Sequence, residues 1–350
     1  MRITLTALFA ATTLAPTLVA GQQPVRQTLR GDSVAVYNLA GTLRVEGGTG
    51  SDVTVDITLR GSDGDQLRAE SAPIRGRATL VVRYPSDDVR YPAMGRDSRT
   101  ELRVRDDGTF FGDGGNRRGR EVVISGRSGE IEAWADLLVR VPRGKTVAVY
   151  LAVGEANVSN VDGHLVVDVA SADIHAERTR GTLVLDTGSG NVNLTDAEGD
   201  ITLDTGSGNV QAAKVRGSQL LIDTGSGDVD VTEVSVSELS IDTGSGDVTA
   251  RGVSAKNVTI DTGSGGIDLA LRTDVEEVTL DTGSGSVTLA VPEALGAELE
   301  IDTGSGDIEF TFPVQARQLE HDHFVGRLGD GKGRIMIDTS SGDVRVVKTT

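Results

Sequence analysis

The sequence predicts an all-β chain built as a parallel β-solenoid (β-helix), and three observations predict it. The pentapeptide Asp-Thr-Gly-Ser-Gly starts at Asp186, Asp204, Asp223, Asp242, Asp261, Asp281 and Asp302, and an altered copy, Asp-Thr-Ser-Ser-Gly, starts at Asp338. The steps are 18, 19, 19, 19, 20, 21 and then 36 residues, which is the spacing of stacked supersecondary units and not of a conventional core. Between copies, apolar residues alternate with polar ones at strand period, and no long stretch keeps the 3.6-residue period of a helix. Glycine is frequent, 45 of 350, without the strict triplet period of collagen, so it punctuates turns.

The chain opens on a segment that reads as a leader. Arg2 supplies a positive start, Ile3 to Ala15 is mostly apolar, and small residues close it at Ala20 and Gly21. Residues 1–21 are therefore expected to be a signal peptide and are set aside from fold reasoning. No later stretch approaches the ~20 apolar residues of a membrane span. With no cysteine, the chain has no disulfide, no thiolate zinc site and no lipid-bearing cysteine. The mature protein is expected to be exported: periplasmic, cell-surface or secreted.

Residues 22–150 read as an irregular β region that caps the solenoid, because an open solenoid end is a bare sheet edge. Val34-Ala-Val-Tyr37, Leu43-Arg-Val45 and Val53-Thr-Val-Asp-Ile57 alternate, and Leu80–Tyr84, Glu121–Ile124 and Leu137–Pro142 are further strands. Residues 85–120, rich in Asp, Arg and Gly, are expected to form a long exposed loop. Residues 151–350 are the repetitive solenoid of coils about 18–21 residues long. In one unit, Leu239 and Ile241 alternate with Ser240 and Asp242, the Gly244-Ser-Gly246 corner follows, Val248 and Ala250 resume the alternation, and Val253 stands alone. Alternation places Leu239, Ile241 and Val248 inward and Asp242 outward. Degenerate copies at Asp168–Asp173 and Ala152–Asn157 extend the array upstream. The 36-residue step marks an insertion over 310–334, read as a loop or a lost corner with one extra coil. The chain is then expected to end on Asp343-Val-Arg-Val-Val347 as the last strand of the last rung.

The pentapeptide also resembles the catalytic loop of an aspartic protease. That chemistry needs two such loops facing each other and sharing a proton, whereas seven copies on a short step form a file. A structural role explains the motif better. The aspartate can accept an amide hydrogen bond two residues on as an Asx-turn. The first glycines of the copies (Gly188, Gly206, Gly225, Gly244, Gly263, Gly283 and Gly304) would supply positive φ, and Thr and Ser would form hydroxyl ladders. The cost is a file of like charges, which motivates Ca²⁺ along the ladder as a candidate cofactor. Against it stands the acid after each corner, which varies (Asn191, Asn209, Asp228, Asp247, Gly266, Ser286, Asp307). His321 and His323 are the weak metal candidates, since two histidines on one loop need help from elsewhere; a solvated loop is the plainer reading.

The net charge of −18 excludes a basic nucleic-acid footprint. No Walker loop, zincin motif or nucleophile elbow with a triad is present. Aromatics at 3% count against a polysaccharide-acting enzyme, the remaining catalytic alternative. No catalytic residue is assigned.

Together, the Asp-Thr-Gly-Ser-Gly-Asp-Val repeats, the Leu137–Pro142 strand leading into the array, and the closing Gly331-Lys-Gly-Arg-Ile-Met-Ile-Asp-Thr-Ser-Ser-Gly-Asp-Val-Arg-Val resemble the bacterial DUF4097 family. That family is β-helical, related to head GIN domains, and labelled "putative adhesin". The resemblance spans roughly residues 30–347 and implies fold, not chemistry. It brings no catalytic residues with it. The expected role is a non-enzymatic adhesin, envelope scaffold or binding protein with an envelope or surface ligand, a Ca²⁺-binding structural β-roll being the alternative. The sequence names neither that ligand nor an oligomeric state.

Overall fold

The computed structural model describes residues 24–111 and 119–349; the expected leader at residues 1–21 lies outside them. The described chain is all-β, interrupted only by two three-residue 3-10 turns, Gly64–Gln66 and Pro92–Met94. Most strands are parallel and stack copy on copy: Asp186 pairs with Asp204, Asp204 with Asp223, Asp223 with Asp242, Asp242 with Asp261, and Asp261 with Asp281. After each Gly-Ser-Gly corner the second strands stack likewise, Val210 on Val229, Val229 on Val248 and Val248 on Ile267. The result is solenoid-like.

The alternation dictates the interior. Leu239, Ile241, Val248, Ala250 and the lone Val253 are all buried, while Asp242 is exposed. One such coil removes about four large aliphatic side chains from water, each worth roughly 1.5–3 kcal/mol. Two unit charges one strand spacing apart repel by only about 1 kcal/mol in water. Packing therefore wins over the like-charge file that the same coils create.

The stack includes strands from the N-terminal part. Ser33–Gly48 pairs in parallel with Thr146–Ser159, which pairs in parallel with Asp162–Thr187. Trp134–Pro142 is parallel to Ser33–Gly48 and antiparallel to Val53–Arg60, and Val25–Leu29 lies antiparallel on Val53–Arg60. The hairpin Arg68–Ile74/Arg77–Arg83 joins Ser33–Gly48 through Val34 opposite Ala78.

Two stretches differ from expectation. The described part of 85–120 is not one exposed loop. Asp88–Arg90 and Arg99–Val104 join Arg120–Ser125 and Ile131–Glu132 in a separate four-stranded sheet. Val89, Leu102, Val104, Phe110, Val122 and Ile124 bury its inner face; the interleaved Arg and Asp residues are the solvated face of the same strands, and they mask the alternation in the composition.

The second difference is at the C-terminal end. Gly333–Thr339 inserts between Glu277–Thr282 and Ala297–Thr303, so that Asp338 pairs with Asp281 on one side and Asp302 on the other. Val344–Lys348 likewise sits between Val287–Val291 and Ile308–Phe310. The last strands in sequence are thus not the last in space. The insertion before them is not an extra coil but an antiparallel hairpin, Gln315–Leu319 with His323–Leu328, whose second strand runs antiparallel along Ala297–Thr303. Phe324 and Leu328 are buried by this arrangement, and the Phe324 ring lies 4.6 Å from that of Phe310. The hairpin occupies an edge that would otherwise offer unpaired amides and carbonyls. Residues 329–332 cross the end of Ala297–Thr303 closely enough that a Cβ on Gly296 would fall 1.9 Å from Asp330 Oδ1.

Candidate functional site

The repeat's aspartates form one outward file. In spatial order it runs Asp186, Asp204, Asp223, Asp242, Asp261, Asp281, Asp338, Asp302. Asp168, paired with Tyr150 on its other side, precedes Asp186. Each end is closed by a different chemistry. Tyr150 pairs with Tyr37, and their rings stack at 4.4 Å and 7°. At the far end His323 Nδ1 lies 2.6 Å from Asp302 Oδ1, and this partner raises the imidazole's pKa.

The electrostatics follow burial along the file. Asp168 is pushed up to about 7, first by desolvation and then by the charges of Asp186 and Asp204. Asp186, Asp204 and Asp281 are raised for the same two reasons, burial first and a neighbouring aspartate second. Like charges on adjacent rungs each disfavour the other's ionised form.

Behind the aspartates the pentapeptide does different work from that expected. The amide two residues after each aspartate is not free for an Asx-turn: Gly206 N–H donates to Thr187 O, Gly225 to Thr205 O and Gly244 to Thr224 O of the preceding coil. The threonines do not form a hydroxyl ladder. Thr243 is fully buried; its Oγ1 donates to Gly227 O of the coil before (3.1 Å) and accepts from Gly246 N of its own corner (3.2 Å). Thr205, Thr224, Thr262, Thr282, Thr303 and Thr339 repeat this pair of bonds. Each hydroxyl thus satisfies two backbone groups that the tight corner would otherwise bury unpaired.

The glycines are needed for closeness, not for positive φ. Gly188, Gly206, Gly225, Gly244, Gly263, Gly283 and Gly304 are absent from the left-handed region. A Cβ on Gly244 would instead meet Gly225 O at 2.4 Å, and one on Gly246 would meet Gly227 O at 1.9 Å. The left-handed residues lie at another corner, as a register of Asn160, Arg178, Asp196, Lys214, Glu233 and Gly252 with φ between 51° and 69°.

The variable residue after each corner also has a role that sequence reasoning missed. Its side-chain oxygen accepts the amide of the equivalent residue in the next coil: Asn209 N–H to Asn191 Oδ1, Asp228 N–H to Asn209 Oδ1, Asp247 N–H to Asp228 Oδ1, and Gly266 N–H to Asp247 Oδ1, at 2.8–3.0 Å. Any acceptor serves, so Asn and Asp interchange freely. The tolerance for Asn was the available signal, because an amide oxygen and a carboxylate share only acceptor ability.

The two histidines are not brought together on one ligand. His321 Nε2 lies 3.4 Å from Asp307 Oδ1, while His323 faces Asp302. Among the described residues, no group of three or more His, Asp or Glu side chains is placed to hold a metal ion, and no helix is long and apolar enough to cross a membrane.

Among solved structures, the chain is similar to a "putative cell adhesion protein" from Clostridium sporogenes, at 11% identity over 93% of this chain and 100% of that one, with a TM-score of 0.19. It is also similar to a "putative lipid binding protein" from Parabacteroides distasonis, at 11% identity over 94% and 98% of the two chains, with a TM-score of 0.37. No curated protein matches the sequence. The family model described as Toastrack DUF4097 matches residues 182–347 of the chain.

Proposed function

We propose that the protein is exported and acts in the cell envelope without catalysis, as a stiff β-solenoid that presents a repeated acidic surface to an envelope or surface ligand. Each coil of about 18–21 residues contributes one carboxylate to that surface, and the N-terminal strands close one end of the stack. One observation carries the reading. The threonine, the glycines and, where the copy has one, the trailing acceptor have backbone partners or tight packing to account for them, whereas the carboxylates of Asp204, Asp223, Asp242, Asp261 and Asp281 face solvent. A file of carboxylates about 4.8 Å apart suits multivalent contact with a repetitive cationic partner, in which many weak contacts sum to useful avidity.

The test compares binding of the purified chain to isolated cell envelopes with that of the triple variant Asp223→Asn/Asp242→Asn/Asp261→Asn. The reading expects the variant to fold with undiminished stability and to lose most of its binding, and expects wild-type binding to weaken as salt is raised. Unchanged binding by a folded variant removes the file as the contact surface.

A further inference from the structure

The acidic file stops at Tyr150, and just beyond it lies a cleft of opposite character. The hairpin turn Arg75–Gly76 connects Arg68–Ile74 to Arg77–Arg83, with Arg75 in the left-handed region (φ 50°). This turn brings Arg75 and Arg77 to a cleft of about 70 Å³ that they line with Tyr37, Tyr150 and Ala35. A volume of this order holds one small tetrahedral group and little else.

The charge at this place is out of keeping with the molecule. The chain carries a net −18, and most of its structured arginines sit beside a carboxylate, as Arg26 does with Asp56 and Arg83 with Glu70. Among the described residues Arg75 and Arg77 form no ion pair and donate no side-chain hydrogen bond. The acid whose charge Arg75 reaches, Asp107, already accepts from Thr109 N (3.0 Å) and Thr109 Oγ1 (2.7 Å). Both guanidinium charges act on the Tyr37 phenol, opposing the rise that burial imposes on it. Two unpaired guanidinium forks beside two phenolic hydroxyls are a donor set for oxyanion oxygens, and the fork geometry of arginine matches phosphate bidentately.

We propose that the Arg75/Arg77/Tyr37/Tyr150 cleft binds a phosphate group, either free phosphate or the phosphoryl substituent of a larger molecule. The site is independent of the aspartate file as a contact surface, and one can fail without the other.

Binding is read by calorimetry and by phosphorus NMR with inorganic phosphate and with glycerol 3-phosphate, at constant ionic strength. The wild-type chain should give a saturable response to phosphate. Arg75→Gln/Arg77→Gln should weaken it at least about tenfold, since each charged hydrogen bond contributes enough to matter at this scale. Tyr150→Phe, which leaves ring stacking in place, should weaken it severalfold, and this variant decides the case if the double variant loses its strand signature by circular dichroism. Tighter binding of glycerol 3-phosphate than of phosphate assigns the site to a phosphoryl substituent; equal binding assigns it to free phosphate. No saturable response up to concentrations on the order of 10 mM, or an equal response from the folded double variant, overturns the proposal.

Discussion

A threonine hydroxyl that is buried, donates across coils and accepts within its own corner is the residue on which each copy turns. Thr243→Val keeps the shape but strands Gly227 C=O and Gly246 N–H, so it should cost about 1–3 kcal/mol in a urea melt, while Thr243→Ser, which keeps the hydroxyl, should cost less. Gly246→Ala should be worse than either, because the added carbon would fall 1.9 Å from the Gly227 carbonyl of the preceding coil, and the coils must part to admit it. The interruption at Gly266 predicts the opposite sign. It sits in the acceptor ladder without an acceptor, and a Cβ there would have no neighbour closer than 3.4 Å. Gly266→Asn supplies the oxygen for the amide of residue 286 and restricts the unfolded chain, so it should stabilise by about 0.5–1.5 kcal/mol, measured as a raised urea midpoint at constant slope.

At the scale of the strand file, the consequence is a pH dependence of unusual sign. The carboxyls of Asp168, Asp186, Asp204 and Asp281 have folded pKa values raised above the ordinary 3.8 of an aspartate, Asp168 to about 7. Between these limits the native state holds protons that the unfolded state releases, so stability falls as pH rises. The stabilisation is fully present below pH 3.8 and is lost by about pH 7. Asp56, held at about 2 by Arg26 and then Arg140, acts in the other direction, and its contribution disappears only in stronger acid. The thermal midpoint should therefore decline from about pH 4 to pH 7, and Asp168→Asn should flatten much of that slope. A midpoint that rises over this interval in the wild type contradicts the assignment.

The strand scale also explains what could be read in advance. Alternation around Leu239, Ile241 and Asp242 is enough to place each residue on its face, because a one-residue slip would turn every aliphatic outward. The order of coils is not written in the same way. Asp281, Asp302 and Asp338 head nearly identical copies, so each stacks as well on one neighbour as on another, and the local pattern cannot choose. The choice is made by Phe324 and Leu328, whose burial puts the hairpin His323–Leu328 along Ala297–Thr303 and leaves the other side of that strand for Gly333–Thr339. The aspartates, legible from their spacing, are the outward file; the buried threonines and the trailing acceptors were legible only as parts of a turn, since their partners lie one coil away. The positive φ expected of the first glycine went to Asn160, Arg178, Asp196, Lys214 and Glu233, residue types that composition does not mark as turn formers apart from the Asn and Asp.

Across the whole molecule, a narrow aliphatic interior backs an acidic file about 40 Å long from Asp168 to Asp302, given nine rungs at the usual strand spacing. Its charge should make it sensitive to salt: raising ionic strength screens the file and should raise the thermal midpoint at pH 7.

The stacking, and the inserted position of the final coil, can be tested in one measurement because the chain has no cysteine of its own. Asp281→Cys paired with Asp338→Cys places two thiols on adjacent rungs, within the Cα separation a disulfide accepts, while Asp281→Cys paired with Asp302→Cys places them two rungs apart, about 9–10 Å, beyond it. On mild oxidation the first pair should cross-link nearly completely within a single chain and the second should stay reduced. Cross-linking of the second pair in preference to the first would mean that the copies stack in sequence order, and the described arrangement of the file would be wrong.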